Sequence, residues 1–267
     1  MTQTELHEKL RAEYNPDGSL LRRQQMKMLD ILLYVDKICK EHNIPYWLSS
    51  GTLLGAVRHG GFIPWDDDLD IEMMRDDFLR FKSLWQDSDD YIMQSHENDL
   101  YYIMPYLKVR DTHSAIEEHS GGEHFKFKGI FIDIFAMEYT HKFVSHQTHM
   151  SLRRIRKFCN RHKRNRLIEA IVAFRKRIAF GSFKVWRALS NMFPGQQLRY
   201  SYGTWCYREL HREEDLYPLS TVKFEGHDFP APRDYDAYLR RIYGDYMQIP
   251  EVKETHTTKI EFFKNEN

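Results

Sequence analysis

Four aspartates within five positions, Asp66, Asp67, Asp68 and Asp70, and a fifth, Asp133, alone in the apolar run Gly129-Ile-Phe-Ile-Asp-Ile-Phe135, are the residues best suited to chemistry in this chain. In Trp65-Asp-Asp-Asp-Leu-Asp-Ile-Glu-Met73 the alternation predicts a short strand, with Leu69, Ile71 and Met73 on one face and Asp68, Asp70 and Glu72 on the other. Carboxylates two residues apart on one face stand about 6–7 Å from each other. Each ionised pair then repels by roughly 2–3 kcal/mol at an effective dielectric of about 20. A divalent cation between them reverses that sign, and an all-oxygen donor set suits magnesium or manganese. Asp133 strengthens the case. Its run reads as a strand covered on both faces, where an ionised carboxylate costs several kcal/mol unless a cation or several donors meet it. The expected metal ligands are therefore Asp68, Asp70 and Asp133, with Asp66 or Asp133 placed to take a proton.

Around these acids the sequence supplies elements that could position a phosphate. Ile44-Pro-Tyr-Trp-Leu48 reads as a strand, Ser49-Ser50-Gly51-Thr52 as a close turn, and Leu53-Leu-Gly-Ala-Val57 as the start of a helix. Small residues at a strand-to-helix turn let backbone amides approach an anion, and the helix N-terminus adds a favourable potential; the same residues also make an ordinary helix cap. Cations that could clamp a phosphoryl group are Arg58, Lys108 and Arg110, the last two sharing one face of a strand. Weaker candidates are His59 and His256, and Tyr46, Trp47 and Trp65 could stack a base or a quaternary ammonium.

Further along the chain, the pattern predicts a helix over 20–41, a short helix over 76–85, and strands at 91–94, 102–110 and 130–135 with a Gly121-Gly122 turn. A hairpin is expected around Gly226-His227 and a helix over 235–243 closed by Gly244. The whole is α+β, with a mixed sheet of about five strands flanked by helices.

The stretch from Tyr46 to Ile71, Tyr-Trp-Leu-Ser-Ser-Gly-Thr-Leu-Leu-Gly-Ala-Val-Arg-His-Gly-Gly-Phe-Ile-Pro-Trp-Asp-Asp-Asp-Leu-Asp-Ile, closely resembles the signature of the LicD family. Leu107-Lys-Val-Arg-Asp-Thr112, the strand bearing Asp133, Lys223-Phe-Glu-Gly226, Pro230-Ala-Pro232 and Tyr243-Gly-Asp-Tyr-Met247 add to it. The likeness runs from about Gln24 to His256 and is weakest between Glu138 and Leu219. It implies a nucleotidyltransferase-like fold that holds Mg2+ (or Mn2+) on Asp68, Asp70 and Asp133, with Ser50, Gly51 and Thr52 at the nucleotide-side turn. One departure is that Gly51 follows a serine and precedes Thr52, where this fold class uses glycine followed by glycine or serine.

The implied reaction is transfer of a phosphocholine, or a related phospho-alcohol, from a CDP-linked donor such as CDP-choline to a hydroxyl of a cell-surface glycan, free or lipid-linked, with release of CMP. Two alternatives stay open. One is a nucleotidyltransferase that releases pyrophosphate, and the other a non-catalytic peripheral membrane or polyanion-binding protein.

Composition bounds these readings. The 267 residues suffice for a full core. Cys39, Cys159 and Cys206 have no metal spacing and leave an odd thiol, which points to a reducing compartment rather than a disulfide framework. The first residues lack the plan of a signal peptide, and no run of about 18 apolar residues occurs, so the expected location is cytoplasmic.

The net charge is zero but unevenly spread. Residues 151–190 hold thirteen Lys and Arg against Glu169 alone, a local +12 balanced by −12 elsewhere. Interleaved apolar residues predict two or three amphipathic helices broken near Gly181, a surface suited to an anionic membrane at its inner face or to a polyanionic acceptor. No nucleic-acid recognition motif accompanies the charge, so nucleic acid is not an expected partner. The division that follows is a catalytic core over 1–140, a basic helical insertion over 141–215 and a C-terminal part over 216–267 that packs back on the core.

Overall fold

The computed structural model describes residues 3–118, 122–204, 211–250 and 259–263. Gly121, Cys206 and His256, named above, lie outside the described residues.

Helix α1 (Gln3–Tyr14) precedes the long α2 (Leu20–Glu41), which starts where Ser19 accepts a hydrogen bond from the amide of Arg22. Met28, Leu29, Leu32, Val35 and Cys39 recur at helical spacing and form the buried stripe of α2. Strand β1 (Trp47–Leu48) leads directly into α3 (Ser50–His59), which ends at Gly60 in the left-handed conformation, with φ of 70°. There follow β2 (Asp70–Met74), α4 (Arg75–Leu84), β3 (Tyr91–Gln94), β4 (Leu107–Asp111) and β5 (Ser114–Ile116). Strand β6 (Phe131–Thr140) is the longest, and after it come the helices α5 (Lys142–Arg161) and α6 (Arg166–Ser190). The remainder is β7 (Gln197–Tyr200), α7 (Glu213–Leu216), the hairpin β8 (Ser220–Phe224) and β9 (His227–Ala231), α8 (Tyr235–Tyr243) and β10 (Ile260–Phe262).

The main sheet has six strands in the order β1-β2-β6-β4-β3, with β7 pairing the far end of β6. Only β2 and β6 pair in parallel within it; the other pairings are antiparallel, so the sheet is mixed as expected for an α+β chain. The parallel register sets Asp70 opposite Asp133, and the antiparallel one sets Lys108 opposite Asp133. Three sequence-critical side chains thus meet on adjacent strands.

Four expectations change. The acidic strand begins only at Asp70; Pro64-Trp65 form a turn, the Asp66 amide bonds the Ile63 carbonyl at 3.0 Å, and residues 66–69 are irregular. The strand expected over 102–110 starts at Leu107, because Pro105 has no amide to give a ladder. Strand β6 runs five residues past Phe135, since β7 covers that end. Helix α6 passes through Gly181 unbroken; a lone glycine weakens a helix by only about 1 kcal/mol, and the buried face on either side of it holds the helix in place.

The main core gathers around Trp47, Ile71, Ile132, Ile134 and the inner face of α2. A second core is formed by α5 and α6 through Leu152, Ile155, Val172 and Phe183, closed by Tyr101, Ile103 and Tyr202. Polar ties join the two: Lys176 donates to the carbonyls of Asp99 and Leu100 at 2.6 and 3.0 Å, and Arg187 grips Glu138 at 2.7 and 2.9 Å. Among the described residues no helix is long and apolar enough to cross a membrane.

Candidate active site

The acidic loop is pinned from behind. Gln24 and Gln25, both buried in α2, donate to the carbonyls of Asp67 at 2.9 Å and Asp66 at 2.8 Å. On its other side, Thr52 Oγ1 of α3 accepts the amide of Asp70 at 2.8 Å. The Asp133 amide donates to the Leu69 carbonyl at 2.9 Å, tying the end of the loop to β6. An irregular segment whose backbone groups are met by buried amides and a hydroxyl holds its carboxylates in fixed positions.

The turn after β1 carries two signs of a ligand cradle. Ser50 sits in the left-handed region, with φ of 50°, and the first turn of α3 has no side-chain cap. Ser49 Oγ is buried without a hydrogen-bond partner. Gly51 is needed for proximity: a Cβ there would stand 2.8 Å from Asp66 Oδ2. The bare helix N-terminus and the acidic loop therefore face each other across a gap that only glycine leaves open.

The carboxylates crowd one another. Burial, then Asp133, Asp68 and Asp66, push the Asp70 carboxyl well above the usual range, with Lys108 opposing. Burial, then Asp68 and Asp67, bring Asp66 up to about 7. Asp133 is also raised by burial, against the pull of Lys108. The Lys108 ammonium lies 2.9 Å from Asp133 Oδ1, 3.6 Å from Glu118, and 3.1 Å from the centre of the Phe131 ring. Its approach to Asp133 is an ion pair out of hydrogen-bond alignment, and Oδ1 is left buried without a hydrogen-bond partner.

A hard dication fits this donor set, which is all oxygen, mutually repelling and under-satisfied. Among the described residues, Asp66, Asp67 and Asp68 bring one oxygen each within 4.8 Å of one another. Asp70 and Asp133 adjoin that trio as register partners. Among the described residues the expected set Asp68, Asp70 and Asp133 does not bring its oxygens together in this way; the trio that does is Asp66, Asp67 and Asp68.

The other candidates fall in different places. Ser50, Gly51 and Thr52 form the first turn of α3 beside the acids, and Lys108 is among them. Arg110 is wholly buried and donates to Gln94, the Gly129 carbonyl and Glu118. Arg58 is buried as well and donates to the carbonyls of Tyr246 and Gln248 and to His59. Either arginine would have to open these bonds to reach a phosphate. His59 contacts His7, and burial together with Arg58 pushes it down to about 3.

Sequence reasoning overlooked four residues. Glu118 pairs with both Lys108 and Arg110. Glu225, at the tip of the β8–β9 hairpin, takes Arg22 and the Phe62 amide, and a Cβ on Gly61 would stand 2.3 Å from its Oε1. Gln24 and Gln25 had a legible signal, two amides beside the apolar stripe of a helix.

Comparison with known proteins identifies relatives of the chain. Residues 43–167 match the family described as LicD/FKTN/FKRP, nucleotidyltransferase domain. The lipopolysaccharide cholinephosphotransferase LicD of Haemophilus influenzae is 31% identical over 249 residues, covering 86% of this chain and 92% of that protein. Human ribitol 5-phosphate transferase FKRP is 46% identical over 44 residues, 16% of this chain and 9% of that protein. Mouse ribitol-5-phosphate transferase FKTN is 34% identical over 96 residues, 36% of this chain and 18% of that protein. With a match that spans nearly all of the bacterial enzyme, the chain belongs to the LicD family of phosphotransferases.

Proposed function

We propose that this protein transfers a phosphocholine, or a related phospho-alcohol, from a CDP-linked donor to a hydroxyl of a cell-surface glycan and releases CMP. The observation that carries the reading is the pairing of Asp70 with Asp133 on parallel neighbouring strands, beneath the uncapped α3 terminus at Gly51. Carboxylates this crowded serve no structural purpose that neutral residues would not serve better. The names of the relatives supply the substrate class: a choline phosphate or ribitol phosphate is moved, in the bacterial case onto lipopolysaccharide.

Asp68, Asp70 and Asp133, with Asp66 and Asp67 beside them, would hold Mg2+ or Mn2+. When bound, the ion supplies neutralisation of the donor pyrophosphate and of the departing phosphate. The amides at Ser50, Gly51 and Thr52 bind a donor phosphate oxygen at the positive end of α3. Lys108, buried beside Asp133, adds positive charge where the transferring phosphoryl group spreads its own. The glycan hydroxyl forms the new P–O bond at the phosphorus that carries the alcohol, while the P–O bond to CMP breaks. Asp66 or Asp133, the carboxylates beside the reacting group, would take the hydroxyl proton.

The test is product analysis. Purified protein incubated with CDP-choline, Mg2+ and a cell-envelope glycan fraction is expected to yield CMP and a glycan heavier by one phosphocholine. Consumption of a nucleoside triphosphate with release of pyrophosphate, and no CMP from CDP-choline or CDP-ribitol, would overturn the reading in favour of nucleotidyl transfer.

A further inference from the structure

Helix α6 is amphipathic twice over. One face is buried through Val172, Lys176, Ala179, Phe183 and Ser190, which pack on α5 and the strand connections. The opposite face carries Leu167, Phe174, Ile178, Val185 and Leu189, each between 45% and 69% exposed. Their spacing of seven, four, seven and four residues keeps them within roughly 60° of one another at about 100° per residue. A stripe of large apolar side chains thus runs the length of a helix of 25 residues, about 37 Å at about 1.5 Å per residue, pointing away from the protein. Met192, Phe193 and Phe143, 74%, 63% and 65% exposed, continue it at the end where α6 stops and α5 starts.

The charges around this stripe are sorted. Lys176 and Arg187, on the inner side, are taken up by the carbonyls of Asp99 and Leu100 and by Glu138. Glu169, the sole acid of residues 151–190, is engaged by Arg164 at 2.6 Å. The exposed Arg166, Arg177 and Lys184 fall on one flank of the stripe, roughly 80–100° from its centre, while the half-buried Arg175 on the other flank lies over the Phe158 ring at 4.9 Å.

We propose that this face of α6 docks the protein on an anionic lipid bilayer, with the helix lying in the plane of the interface. Leu167, Phe174, Ile178, Val185 and Leu189 enter the acyl boundary, while the flanking arginines and lysine reach sideways to lipid phosphates. Charge complementarity selects this occupant over a second copy of the chain, because a symmetric pairing of α6 faces would bring the same cationic flanks together. Patches of this length are rare on monomers without a partner. The inference does not depend on the chemistry proposed above, and its test uses vesicles rather than turnover.

Flotation with vesicles of phosphatidylcholine alone, and of phosphatidylcholine with roughly one-third phosphatidylglycerol, should recover the wild-type protein with the anionic vesicles only. Recovery should fall as salt is raised. The double variant Phe174→Glu/Ile178→Glu should lose about tenfold or more in vesicle affinity, and Arg177→Glu/Lys184→Glu should lose the preference for anionic lipid. Both pairs are exposed, so thermal melting should match wild type. Wild type that floats with neither vesicle, or a Phe174→Glu/Ile178→Glu variant that floats as well as wild type, would overturn the proposal. A wild-type dimer in light scattering that dissociates in the same variant, without vesicle binding, would overturn it too and assign the face to a second copy.

Discussion

Two acids, Glu72 buried and Asp70 half-buried, stand two residues apart on β2 and could not be treated more differently. Glu72 is wholly buried and receives the indole of Trp47 at 2.8 Å, the Tyr200 hydroxyl at 2.5 Å and the Tyr238 hydroxyl at 3.1 and 3.2 Å. The ring of His211 stacks on Tyr238 at 4.4 Å and shields the group. Asp70, one step along the same face, meets Asp133, Asp68 and Asp66 instead. The fold can therefore satisfy a buried carboxylate with neutral donors where it needs a cross-link. It leaves the neighbouring group in repulsion, which a bound cation would relieve. Burial alone does not mark a functional acid; the nature of its partners does.

The contrast is sharpest under mutation. Asp70→Asn and Asp133→Asn should each lower transfer by about a thousandfold or more, since each removes a proposed ligand and the charge that would oppose the ion. The melting temperature of Asp70→Asn should hold or rise in the absence of metal, because a repelling charge is gone, whereas Asp133→Asn also strips the buried Lys108 of its nearer partner and should melt lower. Glu72→Ala should do the reverse. Three buried donors lose their acceptor, which costs about 3 kcal/mol or more in urea unfolding, while turnover per folded molecule stays near wild type. A Glu72→Ala enzyme that is stable but inactive would break the comparison.

Metal should separate the regions next. Mg2+ should raise the melting temperature of wild type by several degrees, EDTA should reverse the gain, and Asp70→Asn should show neither, as expected for a ligand that binds only the native state. Glu72→Gln, which keeps most of the acceptor, should retain the Mg2+ response. A smaller effect is expected from Gly51→Ala. The added methyl presses on Asp66 Oδ2 from 2.8 Å, so kcat/KM should drop about tenfold with little change in stability.

Much of this could be read from the chain. The glycine turn, the acids and Asp133 stood out by residue type, and the β2–β6 pairing sets Asp70 opposite Asp133. Long elements such as α2 and the β8–β9 hairpin were legible through apolar spacing and turn residues. What sequence misplaced was governed by contacts at a distance. Alternation assigned Asp66 to Asp68 to a strand, but Pro64 and the amides of Gln24 and Gln25 hold them in a loop. The same alternation put Glu72 on one face with Asp68 and Asp70, for nothing local reveals that Tyr200 and Tyr238, 128 and 166 residues away, converge on it. Lys108 and Arg110 look alike on one strand face, yet only the sheet shows that Arg110 is bound on every side by Gln94, Gly129 and Glu118 while Lys108 reaches the site.

The smallest expected effect is on pH dependence, and its sign follows from the same crowding. Asp66, raised to about 7, and Asp70, also raised, bind protons more tightly in the folded chain than in the unfolded one. Between about pH 4 and pH 7 the native state then holds more protons, so metal-free stability should fall as pH rises through that window. His96 and His59 act the other way. Burial lowers them to about 4 and about 3, so their contribution is present above about pH 6.5 and is lost as pH falls. Urea unfolding in EDTA should accordingly show stability declining as pH rises through about 7, and Asp66→Asn should flatten that decline. Saturating Mg2+ should abolish the decline in wild type, because ionised carboxylates are then what the bound state requires. A metal-free protein that gains stability between pH 6 and 8 would show that the acids of the loop are already satisfied, as Glu72 is.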